Sequence, residues 1–319
     1  VAGKAVRDAL ARRRRLVRHL LGALLVRHGA GGAGRVLRER RGVVSSGRAR
    51  PEAEIAVFGG SGFYEFLDDA VEHTVHTPYG PPSGPVAVGR VGDRTVAFLA
   101  RHGPGHVVPP HRVNFRANVW AMRELGVRRI LGPCSVGSLQ PHVRPGDFVV
   151  LDQLVDRTWG RPDTYFEGHV VHHVAFADPY CPELRRVATE AGRRVAGAGG
   201  AAIHDRGTCV VVQGPRFSTR AESRWFRDQG WEVIGMTQYP EAFLARELGI
   251  CYTGIALVTD FDAGLEGVEG IEAVTMEEVF RVMRANVDRV RSLLFEAIAA
   301  VPTEPSCSCR DVLAQGPLG

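Results

Sequence analysis

The N-terminal arm lacks a membrane-spanning segment: its longest apolar run, HLLGALLV, falls far short of the ~20 residues a spanning helix needs. Acidic residues are almost missing there too, since residues 1–51 hold 2 of the 35 Asp+Glu but 14 of the 40 Lys+Arg. The formal charge of +5 therefore belongs to the arm, and the remaining 26 basic and 33 acidic residues give no bias toward nucleic acid or anionic membrane. A secretory leader is not expected, because arginines continue beyond the apolar stretch and no A-x-A-like cleavage site follows. Residues 1–53 read as an Arg-rich extension, disordered or weakly helical, with nucleic-acid or membrane-surface binding as the lesser readings.

Cysteines are few, and the first four (Cys134, Cys181, Cys209, Cys251) sit singly within or beside apolar runs, as buried thiols do. That usage predicts a reducing, cytoplasmic compartment. Cys307-Ser308-Cys309 is different: a C-x-C pair suits a strained disulfide or half a metal site, but no second pair lies nearby in sequence to complete four ligands. Structural zinc is not expected. The chain also lacks a dinucleotide fingerprint, because GGSGF (59–63) is followed by Glu65 where the third Gly belongs, and no Walker lysine follows either.

What is present is an ordinary globular composition, 45% hydrophobic and 24% charged, sufficient for a sizeable core. The pattern changes abruptly at Glu54, so the folded domain is expected over 54–301, with 302–319 a loosely attached tail. Strands are expected in EIAVFGG, 86–91, 95–100, 128–133, 147–152, 208–213, 232–235 and 250–258. Helical spacing occupies VNFRANVWAMRELG, PELRRVATEAGRRVAG, TRAESRWFRDQG, PEAFLARELG and TMEEVFRVMRANVDRVRSLLFEAIAAV. Strand and helix mostly alternate, which argues an α/β fold with a largely parallel sheet whose strand ends wall one pocket.

The unusual residues lie at those ends. GGSGF offers Ser61 and backbone amides to an anion, although a Gly turn after a strand is more often structural. ARHGPGH puts Arg101 and His102 just past a strand, suited to phosphate or carboxylate, against a bland reading as a surface Arg and a satisfied loop His. His102, His106 and His111 match no metal spacing. GPCSVGSL, with Cys134, Ser135 and small-residue amides, approaches the serine-hydrolase elbow but has Pro133 for its first Gly. QGPRFSTRAES supplies Phe217 and Ser218, a ring able to stack on a heterocycle or plug the core, and GMTQYPE supplies Met236 and Thr237. In VTDFDAG, Asp260 and Asp262 follow an apolar run; they suit turn capping, a divalent metal, or recognition of a nitrogen heterocycle with proton delivery to a leaving base.

Taken together and in order, GGSGFY, HTPYGPPSG, ARHGPGH, NFRANVWAMRELG, GSLQPHVRPGDFVVLDQLVDRT, GPRFSTRAES, MTQYPEAFLARELGICY and VTDFDAG resemble the methylthioadenosine phosphorylase branch of the purine nucleoside phosphorylases, over about residues 54–300. The CSC tail resembles that of some members. The resemblance implies a single α/β domain with a twisted, largely parallel or mixed sheet, trimers or pairs of trimers, and phosphorolysis of a nucleoside with inorganic phosphate as co-substrate and no cofactor or metal. It implies that Ser61, Arg101, His102 and Thr237 hold phosphate, with the backbone around Cys134 and Ser135 assisting. Met236 would lie under the ribose, Phe217 and Ser218 beside the base, and Asp260 and Asp262 against N7 and the 6-amino group. Met276, Val279 and a neighbouring subunit's His173 would line the 5′-methylthio pocket. The chain departs from the pattern at Cys134-Ser135-Val136, where many relatives have Thr-Ala-Cys, and at Gln238-Tyr239. Paired carboxylates favour a 6-aminopurine; a 6-oxopurine or methylthioinosine is the alternative, and an inactive nucleic-acid-associated protein the remote one.

Overall fold

The computed structural model describes residues 52–59, 67, 70–168, 172–196, 201–268, 271 and 275–314. The expectation for the Arg-rich extension lies outside these residues. Eleven strands form one mixed sheet: β1 (Ile55–Gly59), β2 (Val71–His73), β3 (Val86–Val91), β4 (Arg94–Ala100), β5 (Arg129–Ser138), β6 (Phe148–Val150), β7 (Gln153–Arg157), β8 (Ile203–His204), β9 (Thr208–Val212), β10 (Val233–Gly235) and β11 (Cys251–Phe261). Among the described residues five α-helices accompany it, α1 (Phe115–Glu124), α2 (Pro182–Ala196), α3 (Arg220–Asp228), α4 (Gln238–Glu247) and α5 (Met276–Ala300).

Why the strands bury both faces is visible in β1. Its alternate residues Ala56 and Phe58 enter one apolar cluster with Val119 of α1 and Leu244 of α4. Ile55 and Val57 enter the other, with Leu184 of α2 and Leu294 of α5. Two-residue periodicity thus feeds two cores, one on each side of the sheet. The helices begin and end as their sequences predict: the Asn114 side chain accepts from the Ala117 N–H at the start of α1, and Thr219 with Glu222 forms a capping box on α3. Gly126, Gly230 and Gly249, all at positive φ, follow α1, α3 and α4.

The sheet order is β2-β3-β4-β1-β5-β10-β9-β7, and β11 joins β5 while also pairing β6, which pairs β8. Strand β5 is the branch point. Its first residues, 129–131, lie parallel to β1, its last, 137–138, lie antiparallel to β10, and β11 runs parallel to its whole length. The sequence reading stopped this strand at 133 and β11 at 258; both continue, to Ser138 and Phe261. Small residues in GPCSVGS read as a loop, but ladder bonds along ten residues hold them extended. The short strands β2, β7 and β8 were not expected, because two or three residues, or a partly polar edge such as QLVDR, carry no periodic signal.

The tail also departs from expectation. Ser306 donates its N–H and hydroxyl to Glu183 in the first turn of α2, and Cys309 is buried. These contacts are long-range, so local composition carried no sign of them.

One ion pair joins four elements. Arg101, directly after β4, donates through Nε and NH2 to both oxygens of Glu241 in α4 at 2.7 and 2.8 Å, and through NH1 to the Pro133 carbonyl of β5 at 3.1 Å. The Tyr252 hydroxyl of β11 donates to the same carboxylate at 2.6 Å. Arg101 is 1% exposed and Glu241 is fully buried, so removing either partner strands a buried charge. Glu241→Ala is expected to lower the unfolding free energy by about 3–5 kcal/mol, read as a shift in urea midpoint.

Candidate active site

A cavity of about 450 Å³ opens at the carboxyl ends of the parallel strands. Arg101 and His102 reach it from the end of β4, and Cys134 to Gly137 from β5. Val212 ends β9, Gly235 to Thr237 leave β10, and Thr259, Asp260 and Asp262 come from β11. The 215–218 segment and Val279, Phe280 and Met283 of α5 complete the wall. Strand ends therefore do wall one pocket, as the α/β reading expected.

Its floor is cationic. Burial works against the Arg101 charge, but the Glu241 carboxylate outweighs it through charge and hydrogen bonding and holds the guanidinium protonated. Three N–H groups are spent on Glu241 and Pro133, which leaves one on each terminal nitrogen. Beside it His102 departs from its expected role as a group charging near neutrality: burial, then the Arg101 charge, push it down to about 4. Its Nδ1 lies 2.8 Å from the Val108 carbonyl. A carbonyl only accepts, so Nδ1 carries the hydrogen and the neutral ring offers Nε2 as an acceptor. Thr237 precedes α4 but makes no capping hydrogen bond, and regular helix starts at Pro240 after the extended Tyr239. Ser135 is the exposed member of an otherwise mostly buried strand. It lies inside β5, not on a strand-to-helix turn, which removes the hydrolase-elbow reading.

The same cavity is lined by two carboxylates, Asp260 and Asp262. Strands β5 and β11 slip register between Val258 and Asp260, a bulge that turns Asp260 and Asp262 toward Gly137. A side chain at Gly137 would begin 3.2 Å from Asp260 Oδ2, so the missing side chain leaves the carboxylate its space. Thr259 Oγ1 lies 2.6 Å from Asp260 Oδ1, and the Ser218 hydroxyl donates to Asp262 Oδ2 at 2.5 Å. Burial raises Asp260 to about 6, against the Thr259 hydrogen bond and with help from the Asp262 charge. Burial raises Asp262 as well, against the Ser218 and Ser223 hydroxyls.

Most of the residues singled out from the sequence meet here: Arg101, His102, Cys134, Ser135, Met236, Thr237, Phe217, Ser218, Asp260, Asp262 and Val279 all line the cavity. Phe217 is 54% exposed, at the mouth and not in the core. Ser61 and the Met276 side chain lie outside the described residues. His173 is exposed and does not line its own chain's cavity. Cys134 is more than a backbone contact: burial raises its thiol to about 11, and Gln238 donates to the sulfur at 3.3 Å. The two departures from the family pattern are thus one contact. Sequence reasoning missed His106, whose ring lies 4.5 Å from that of His102, and Phe280 and Met283. Met283 was findable, because 279 and 283 share one helical face.

The sequence model of the phosphorylase superfamily matches residues 54–299. A relative from Mycolicibacterium smegmatis named S-methyl-5′-thioadenosine phosphorylase is 56% identical, covering 80% of this chain and 93% of its own. One from Streptomyces coelicolor named purine nucleoside phosphorylase is also 56% identical, covering 81% and 93%. Among solved structures, a methylthioadenosine phosphorylase from an antarctic soil metagenomic library superposes with a TM-score of 0.78 at 40% identity, covering 84% of this chain and 93% of that one.

The raised carboxyl carries a stability signature. Below the unfolded pKa both states are protonated; as pH rises through about 6 the native state must ionise a buried group, and stability falls. Asp260→Asn is therefore expected to unfold at higher urea than wild type at about pH 8, by at most a few kcal/mol, with the difference gone at about pH 4.

Proposed function

The chain belongs to the phosphorylase superfamily, and on that premise we propose that it cleaves S-methyl-5′-thioadenosine with inorganic phosphate to adenine and 5-methylthioribose 1-phosphate. The observation that carries this reading is that a buried pair of carboxylates and a buried guanidinium line one cavity. A 6-aminopurine offers N7 as an acceptor and its amine as a donor; the Asp260 carboxyl, whose pKa is raised to about 6, gives to the first when protonated, and the Asp262 carboxylate accepts from the second.

Phosphate sits on the floor, taking the free N–H groups of Arg101, the Thr237 and Ser135 hydroxyls and the backbone around Cys134. His102 Nε2, on a ring held neutral, accepts a hydrogen bond from the hydroxyl of the phosphate monoanion and orients its unprotonated oxygens. The glycosidic bond lengthens toward an oxocarbenium-like state as that oxygen approaches C1′, and negative charge builds on the purine. Asp260 delivers its proton to N7, a contribution of about 10²–10⁴-fold. Asp262, oriented by Ser218, accepts from the amine. Phe217 stacks at the mouth and Met236 lies under the ribose. The 5′-methylthio group meets Val279 and Met276, with His173 supplied by a neighbouring copy in a trimer or pair of trimers. No cofactor enters this reading.

A second reading, phosphorolysis of a 6-oxopurine nucleoside, has its own support: a protonated Asp260 can donate to O6, and the Streptomyces coelicolor relative bears the broader name. Initial rates with methylthioadenosine, methylthioinosine, adenosine and inosine, with and without phosphate, decide between them. Methylthioadenosine is expected to lead, and base release without phosphate would reject phosphorolysis altogether.

Asp260→Asn is expected to keep phosphate binding, measured by calorimetry, while losing most turnover, about 10²-fold or more. In wild type kcat/KM should fall as pH rises above about 6, and the variant's residual activity should lack that limb.

A further inference from the structure

Four cysteines absent from the cavity meet elsewhere. Cys181 immediately precedes α2, Cys251 is the first residue of β11, and Cys307 and Cys309 lie in the tail after α5. All four are free thiols, three buried and Cys307 half-buried. Their sulfurs lie within 4.8 Å of one another, those of Cys251 and Cys307 at 3.3 Å. Four sulfurs bound to zinc at ~2.3 Å in a tetrahedron stand about 3.8 Å apart, so the quartet already has the dimensions of such a site. No second cysteine pair lies nearby in sequence; the fold supplies the remaining two ligands from separate segments, Cys181 and Cys251.

A second observation concerns charge. Arg129 of β5 is the register partner of Cys251 and is 3% exposed. Its Nε and NH2 have no hydrogen-bond partner among the described residues, and a Glu183 oxygen, also without one, stands 4.0 Å away. Glu183 pairs with the guanidinium charge at 4.0 Å but takes no hydrogen bond from it, so two buried donors stay open to a further anion. Zinc held by four thiolates carries net negative charge, and sulfurs so bound accept N–H groups. The Leu184 backbone in the first turn of α2 already gives one such bond to Cys181.

We propose that Cys181, Cys251, Cys307 and Cys309 bind one zinc ion in a closed tetrathiolate site that fastens the C-terminal tail to the start of α2 and β11. Each ligating thiol releases its proton to solvent, and no electron is transferred. Four protein sulfurs leave no coordination position open, so the site is structural, and none of the four lines the substrate cavity. Arg129 stands next to the site as its counter-charge.

The full-length enzyme, purified with a thiol reductant and dialysed without chelator, is expected to contain about one zinc per chain by elemental analysis. Cys307→Ser with Cys309→Ser should bring zinc to background. Titrating metal-free reduced wild type with Co²⁺ should give the intense visible d–d bands and near-ultraviolet charge transfer of tetrahedral cobalt thiolate, with Zn²⁺ then bleaching them. A chelator should lower the Tm of wild type and leave that of the double variant unmoved. The proposal is overturned if reduced wild type takes up neither metal, if the double variant keeps its zinc, or if mass mapping of enzyme prepared with zinc shows these cysteines paired as disulfides.

Discussion

The Arg101–Glu241 pair, sealed beneath the cavity and tied to Tyr252 and the Pro133 carbonyl, is the constraint on which the site depends. A buried ion pair is a poor source of net stability, because desolvating two charges offsets much of their attraction. Its value here is positional. Glu241 takes both ends of one guanidinium edge, so the remaining N–H groups point one way only. The tyrosine reaches this carboxylate because position 132 is Gly: a side chain there would begin 2.0 Å from the Tyr252 hydroxyl. The same buried charge helps keep His102 neutral, so a fixed cation and an adjacent hydrogen-bond acceptor arise from one interaction.

The aspartate wall is built on the opposite logic. Among the described residues no cation offsets the Asp260 charge; burial and the nearby Asp262 raise its pKa, and the protein tolerates an unfavourable ionisation in exchange for a carboxyl that can give up a proton near pH 6. The β-bulge, Gly137 and the Thr259 hydroxyl hold it in place, while the Ser218 hydroxyl holds Asp262. Guanidinium and carboxylates share one cavity, and β5 contributes to both, through Pro133 to Arg101 and through Gly137 to Asp260.

Much of this was readable in the chain. The apolar run EIAVFGG and the helical spacing of TRAESRWFRDQG are local signals, and each expected strand and helix formed near where its pattern put it. The extensions of β5 and β11 were not readable, since a run of Gly, Pro, Cys and Ser becomes strand only when a neighbour supplies the ladder. The residues of the acid wall and cation floor were nameable because each follows a strand. Their roles were not, because His102 depends on a carbonyl six residues on and Asp262 on a hydroxyl forty-four residues back.

The sequence by itself determined which elements exist, which residue types stand at their ends, and which family they belong to, because periodicity, caps and motif order are properties of neighbours along the chain. Only the tertiary structure decided protonation, partnership and the assembly of the four thiols. Burial and distance between residues up to 140 apart set whether Arg101 is anchored by Glu241, whether His102 gives or accepts a proton, and whether a C-x-C tail has partners.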